Sequence, residues 1–234
     1  MQENARRVAP RLWDTDWLQL RPLARLLREK AQAHLRPDGV MIDLGCGTMP
    51  YAGMMRDLGW HYQGADIDAD AVAKGKLPIG ADGRVPFPDH GADAVISVQV
   101  LEHIADLDSY CAEIRRLLAP GGLVLLSTHG SWFYHPHPED HRRWTRTGLK
   151  LDLEARGIMV EEMHSICGPL ATTTMIRLTA FAFVIKRIPL VGKPIAGLLS
   201  IVMNLRGLVE DAATPAEMGD DNACIYLVRA RVAA

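Results

Sequence analysis

Apolar residues recur along the chain in two rhythms. Over 12–35, Trp13, Trp17, Leu18, Leu20, Leu23, Leu26 and Leu27 fall at helical spacing, predicting a helix that breaks at Pro37-Asp38-Gly39. Val40–Leu44 is a short continuous apolar run entering a glycine turn, as a strand buried on both faces does. The pattern then predicts a helix over 50–59, a strand over 61–67 ending in acid, and a short helix over 69–76. Residues 77–91, rich in Pro, Gly and Asp, predict a loop with one brief strand. A buried strand follows over 92–98. A helix over 106–119 places Leu107, Tyr110, Cys111, Ile114, Leu117 and Leu118 on one side and stops at Pro120-Gly121-Gly122. Strands over 122–128, 157–166 and 223–232 and a helix over 147–156 complete the regular pattern.

This alternation predicts an α/β fold: a Rossmann-like, mostly parallel sheet of about seven strands with helices on both faces. The two late strands lack a good crossover helix between them, which predicts an antiparallel edge strand. Four segments are expected. They are an N-terminal helical arm (1–36), a ligand-binding core (37–168), a hydrophobic helical insertion (169–222) and the final strand of the core sheet (223–234).

Composition narrows the classes. The 234 residues suit one decorated domain. A net charge of −2 gives no footprint for nucleic acid, so none is expected as a partner. Cys46, Cys111, Cys167 and Cys224 match no zinc spacing and read as free thiols of a reducing compartment. The charged first thirty residues lack an apolar signal core, so no export signal is expected. The expected location is therefore the cytoplasm, with attachment to the inner face of the membrane open through 170–209. No stretch reaches the roughly 18 uncharged apolar residues that span a bilayer. Residues 170–209 alternate apolar runs with Arg177, Lys186, Arg187, Lys193 and Arg206. A membrane-surface contact, a cap on the sheet and a homodimer face all fit that pattern.

The chemistry begins at IDLGCGTMP (42–50). Gly45 and Gly47 let the backbone turn sharply between strand and helix and approach a ligand. Asp66 ends the next strand, where a carboxylate accepts hydrogen bonds from a ribose diol. Together they point to an adenosine-containing cofactor across the strand ends.

IDLGCGTMPY, YQGADID (62–68), VPFPDHGADAVISVQVLEHI (85–104) and LLAPGGLVLLS (117–127) resemble, in order and spacing, the signatures of class I S-adenosylmethionine-dependent methyltransferases. The resemblance covers about 37–165 and implies S-adenosyl-L-methionine as cofactor. It departs at Pro50, where many members carry a third glycine, and before VPF, which is about one residue short. By this resemblance the turn's N–H groups meet the cofactor carboxylate and Asp43 lies near its ammonium. Asp66 holds the ribose, Ile67 packs on adenine, Asp82 and Gly83 meet the adenine edge, and Gln99 lines the methionine end. Cys46 lies among these as a small filler. No Tyr-x-x-x-Lys pair supports a short-chain dehydrogenase.

Methyl transfer to a hydroxyl needs an aligned nucleophile and a base. Residues 128–158 hold His129, His135, His137 and His141, and HPHPEDHRRWT resembles a subgroup associated with bacterial cell-surface glycan synthesis. His137 and Asp140 are the leading catalytic candidates, with His135 beside them. Arg143 bracing Asp140, and Thr145 or Thr147 capping a helix, explain part of the same motif structurally. No metal is expected, because two prolines among the histidines rule out a helical ligand face. Glu102 and His103 are read as shaping the helix start beside the cofactor. The expected acceptor is a sugar hydroxyl of a surface glycan or its lipid-linked precursor. A quinone-like or other lipophilic small molecule, or a non-catalytic adaptor role, are the alternatives.

Overall fold

The structure, a computed structural model, describes residues 2–68, 70, 72–136 and 139–232. Seven strands form one sheet: β1 (Val40–Leu44), β2 (His61–Asp66), β3 (Leu77–Pro78), β4 (Ala92–Val98), β5 (Leu118–His129), β6 (Ile158–Ile166) and β7 (Ile225–Val232), in the order β3-β2-β1-β4-β5-β7-β6. The first five run parallel; β7 runs antiparallel to both β5 and β6. The predicted mixed sheet is thus present, with β7 slotted between β5 and the outermost strand β6.

Strand parity divides the core. Met41, Tyr62, Ile96 and Leu125 enter one apolar cluster, and Ile42, Ala65, Val95 and Val124 the other. The first face is covered by α2 (Trp17–Ala33), α3 (Ala52–Asp57) and α6 (Pro169–Ile185), through Leu23, Leu27, Met55 and Met175. The second is covered by α4 (Leu107–Leu117) and α5 (Arg146–Glu154), through Ile114, Leu117, Leu149 and Leu153. Each of these fully buried side chains stabilises the fold by roughly 1.5–3 kcal/mol.

The N-terminal arm differs from a single helix over 12–35. A short α1 (Gln2–Val8) precedes a turn in which Asp14 accepts from the Arg11 N–H at 2.7 Å, and α2 starts only at Trp17. Pro22 lies inside α2 and has no N–H for the Leu18 carbonyl. The Cys167 thiol supplies that bond at 3.2 Å. The helix predicted over 69–76 does not appear among its described residues: 70 and 72–75 form turns. Asp68 there receives Lys74 at 2.6 Å and Lys76 at 3.4 Å, closing a loop instead. The Pro-Gly-Gly segment does not itself end a helix. The helix stops at Leu117, and Pro120–Gly122 lie within β5, beside a register shift against β4. Thr145 does cap α5, accepting from the Gly148 N–H at 3.0 Å.

The hydrophobic stretch forms α6, α7 (Gly192–Ala213) and the short α8 (Ala216–Asp221). A Cβ on Gly207 would lie 2.3 Å from Leu18, so α7 approaches α2 closely. No helix among the described residues is long and apolar enough to cross a membrane.

Candidate active site

The β1 turn is pinned to β2. The Gly45 and Cys46 N–H groups donate to the Ala65 carbonyl at 2.9 and 3.0 Å, and the Gly47 N–H donates to Asp66 Oδ2 at 2.6 Å. These three donors are therefore occupied, which corrects the expectation that they meet a carboxylate. Gly45 adopts φ +80°, and a Cβ there would lie 2.6 Å from Val100. Both conformation and space exclude other residues.

All nine residues read as cofactor-binding line one cavity of about 1090 Å³ at the strand ends. Asp43, Gly45, Cys46 and Gly47 come from the end of β1, Asp66 and Ile67 from β2, Asp82 and Gly83 from beyond β3, and Gln99 from the end of β4. Ile67 is 65% exposed, an apolar surface facing this space. Gln99 has φ +58°, and its backbone N–H and its amide nitrogen donate to the Ser127 carbonyl and Oγ. Strain of this kind at a strand end collects at functional positions.

Asp43 is buried and accepts from Tyr62 Oη at 2.5 Å. Burial pushes its pKa up to about 7; the Tyr62 bond opposes the rise and the Asp66 charge adds to it. Cys46 presses against Gly64, where a Cβ would lie 2.7 Å from its sulfur. Burial and the charges of Asp43 and Asp66 push that thiol up to about 12, so it stays protonated.

The far end of the cavity gathers imidazoles. His103, His129 and His135 line it with Trp132. His129 stacks on Trp132 and meets His135 edge-on at 5.0 Å; His135 meets His103 at 5.1 Å. Buried Glu102 accepts from Thr128 Oγ1 at 2.8 Å, and its Oε1 lies 3.5 Å from His129 Nε2. Burial keeps His129 well below the ordinary histidine pKa, and neutral. Ligand atoms of Glu102, His103 and His135 lie within 4.8 Å of one another, a spacing that could hold a cation despite the metal-free expectation. His103 Nδ1 already bonds the Glu139 carbonyl at 2.5 Å.

The loop candidates separate. His135 reaches the cavity wall. Asp140 does not: its side chain is 2% exposed, and Arg143 grips its two oxygens at 2.5 and 2.6 Å. It also accepts the His135 N–H at 2.9 Å. The Arg143 guanidinium holds this carboxyl well below the usual range, which makes Asp140 a poor base. Arg143 thus braces the loop through Asp140, as the spacing allowed. His137 lies outside the described residues.

Other residues arrive unannounced. Arg7, Asp16, Gln19, Tyr51 and Thr179 line the same cavity from α1, α2, the approach to α3 and α6. Tyr51 closes the IDLGCGTMPY signature without having been read as a site residue, and no local motif marks the other four. His129 had one signal: it ends a central parallel strand, where such sheets bind ligands.

A strand-end cavity with a glycine turn, an acid closing β2 and a second acid beyond β3 defines a Rossmann-like cofactor-binding domain. Residues 16–163 match the family described as a methyltransferase domain, and the chain belongs to that family. It is 30% identical over 135 residues to a Mycolicibacterium smegmatis protein named a probable S-adenosylmethionine-dependent methyltransferase, covering 52% of each chain. It is 30% identical over 128 residues to a ubiquinone biosynthesis O-methyltransferase of Caulobacter sp., covering 44% of this chain and 49% of that one. The chain thus spans about half the length of these relatives. The solved structure of Haemonchus contortus phosphoethanolamine N-methyltransferase 2 with S-adenosyl-L-methionine shares the fold. Its TM-score is 0.57 at 15% identity, over 99% of this chain and 60% of that one. The class is that of methyltransferase domains, and a relative bears an S-adenosylmethionine-dependent name, the dependence that the signatures over 37–165 imply.

Proposed function

We propose that the chain transfers a methyl group from S-adenosylmethionine to a hydroxyl of an amphipathic acceptor. The observation that carries this is the single cavity joining the glycine turn and its acids to the imidazole cluster. The cavity suits a polar cofactor. Among the described residues, Asp16 Oδ1 and Gln99 Oε1 are buried at its wall without a hydrogen-bond partner, and a ligand satisfies such atoms.

Asp66 would accept the ribose hydroxyls on its remaining lone pairs, and Ile67 would cover adenine. Asp82 would accept from the adenine amino group beside the Gly83 N–H. Asp43 would meet the ammonium, and Gln99 the methionine chain. Since the Gly45, Cys46 and Gly47 N–H groups are taken, Arg7 and Tyr51 would be donors for the carboxylate. Bound there, the cofactor supplies a methyl group already activated by positive sulfur.

His135 accepts the hydroxyl proton. Burial lowers its pKa, which keeps the ring in its base form near neutrality. Asp140, 3.5 Å from Nδ1, positions the ring, while His129 and Trp132 wall the site from water. The His-Pro loop supports a sugar hydroxyl of a surface glycan or its lipid-linked precursor. A quinone-type phenol is the second reading, favoured by the ubiquinone-pathway name of one relative.

The test incubates purified protein and methyl-tritiated donor with envelope glycan and lipid extracts. One species should gain label and the mass of a methylene, and Asp66→Ala should abolish the gain. His135→Asn should lower turnover while leaving S-adenosylhomocysteine affinity intact. Label on a phenol selects the second reading. No transfer by a chain that binds S-adenosylhomocysteine overturns the catalytic reading and leaves a non-catalytic adaptor.

A further inference from the structure

From 169 to 209 the chain carries five cations, Arg177, Lys186, Arg187, Lys193 and Arg206, and no carboxylate, in a protein of net charge −2. This segment forms the α6–α7 hairpin up to the last turn of α7, which adds Glu210 and Asp211. Its outward surface leaves Phe181, Val184, Leu198 and Val202 exposed, and Leu190 at the connecting turn is 99% exposed. The turn is tightly built. A Cβ on Gly192 would lie 2.2 Å from the Ile185 carbonyl, so the chain closes tightly there. Leu190 holds φ +65°, a costly conformation for a bulky apolar residue. Arg187 lies over the Phe183 ring at 4.4 Å, the pairing of cation and aromatic that suits a headgroup boundary. Among the described residues no carboxylate lies within ion-pair distance of Lys186, Arg187 or Lys193; Arg206 is paired with Glu210.

We propose that the hairpin docks this protein on an anionic lipid surface. Leu190 and Val191 enter the acyl boundary, and Lys186, Arg187 and Lys193 meet lipid phosphates. Charge selects this occupant over a second copy of the chain. A two-fold contact through the hairpin tip would set these cations against their own copies, because the hairpin's acids, Glu210 and Asp211, lie at its far end, with Glu210 already bound to Arg206 and Thr174. The base of the hairpin is tied to the domain. Asn204 donates to the Leu12 and Asp14 carbonyls at 2.7 and 2.9 Å, while Thr174 donates to Glu210 at 2.5 Å and locks the two helices to each other. Thr179 of α6 lines the catalytic cavity, so docking would hold that cavity beside the lipid. The surface stands apart from the proposed acceptor: it holds whether the methylated hydroxyl belongs to a sugar or a phenol.

The test is co-sedimentation of the full chain with phosphatidylcholine vesicles, with and without phosphatidylglycerol. Binding should require the anionic lipid. Each of the three tip cations contributes roughly fivefold in partitioning. The combined variant K186A/R187A/K193A should therefore bind about a hundredfold more weakly. Leu190→Asp should also lose binding. Both variants should keep wild-type affinity for S-adenosylhomocysteine, which shows them folded and separates this result from the methyl-transfer assay. Failure of the wild-type chain to bind anionic vesicles overturns the proposal, as does equal binding to neutral ones. A concentration-dependent dimer that Leu190→Asp dissolves, without vesicle binding, assigns the face to a second copy instead.

Discussion

Replacing Tyr62 with Phe removes one oxygen and isolates what that oxygen does to Asp43. The Tyr62 hydroxyl donates to Asp43 at 2.5 Å and opposes the rise in carboxyl pKa that burial causes. A hydrogen bond to a charged group contributes about 1.5–3 kcal/mol, or roughly one to two pH units. Starting from about 7, the Asp43 pKa in the variant should therefore reach about 8 to 9. If Asp43 receives the cofactor's ammonium, only its ionised form serves. At pH 7 the wild-type group is about half ionised, and the variant about one to nine per cent, so S-adenosylhomocysteine should bind roughly 5- to 50-fold more weakly. The ratio of variant to wild-type Kd should shrink toward one as pH rises above the variant's value. Taking this ratio cancels the ligand's own titration. Calorimetry across this range measures it directly, with thermal melts confirming that both proteins remain folded. A ratio independent of pH would show that Tyr62 acts by packing alone, and a ratio growing with pH would refute the role given to Asp43.

The same carboxyl links pH to stability. Its folded-state pKa of about 7 lies above the ordinary 3.8, so the folded chain holds the proton more tightly than the unfolded one. This contribution is present in full below the unfolded value and is lost as pH rises through the folded value. In calorimetric melts of the ligand-free protein, Asp43→Asn should flatten that decline, and a decline equal to wild type would contradict it. Gly45→Ala forces a side chain into φ +80° and to within 2.6 Å of Val100. It should cost about 2–4 kcal/mol in urea unfolding and abolish S-adenosylhomocysteine binding, and wild-type stability would show that the turn yields. EDTA should leave methyl transfer unchanged. A loss reversed by magnesium would place a cation among Glu102, His103 and His135.

What could be read along the chain follows from how far apart in sequence each feature's causes lie. The run at Val40–Leu44, the two glycines and Asp66 are local. Strand parity and chain order alone carry each to the sheet's end, and all reach one cavity. The short helix over 69–76 misled because its polar residues look like helix surface, whereas Asp68 uses them to close a loop through Lys74 and Lys76. The occupied N–H groups of the glycine turn depend on the register between β1 and β2, which no motif encodes. Asp140 looked like a base until Arg143 was seen on both of its oxygens. Arg7, Trp132 and Thr179 meet only because α1, the loop after β5 and α6 fold over the same opening. The two ends of the cavity therefore differ in kind. The end proposed for the cofactor is assembled from strand termini in chain order, so its residues follow from the quoted signatures. The end proposed for the acceptor is assembled from loop and hairpin residues that converge from afar, so on this reading those residues can differ while the other end stays the same. Relatives that share this domain can on that account carry different acceptors in their names. Substitutions that change the acceptor should therefore fall at Trp132, His135 and Thr179 rather than at Gly45 or Asp66.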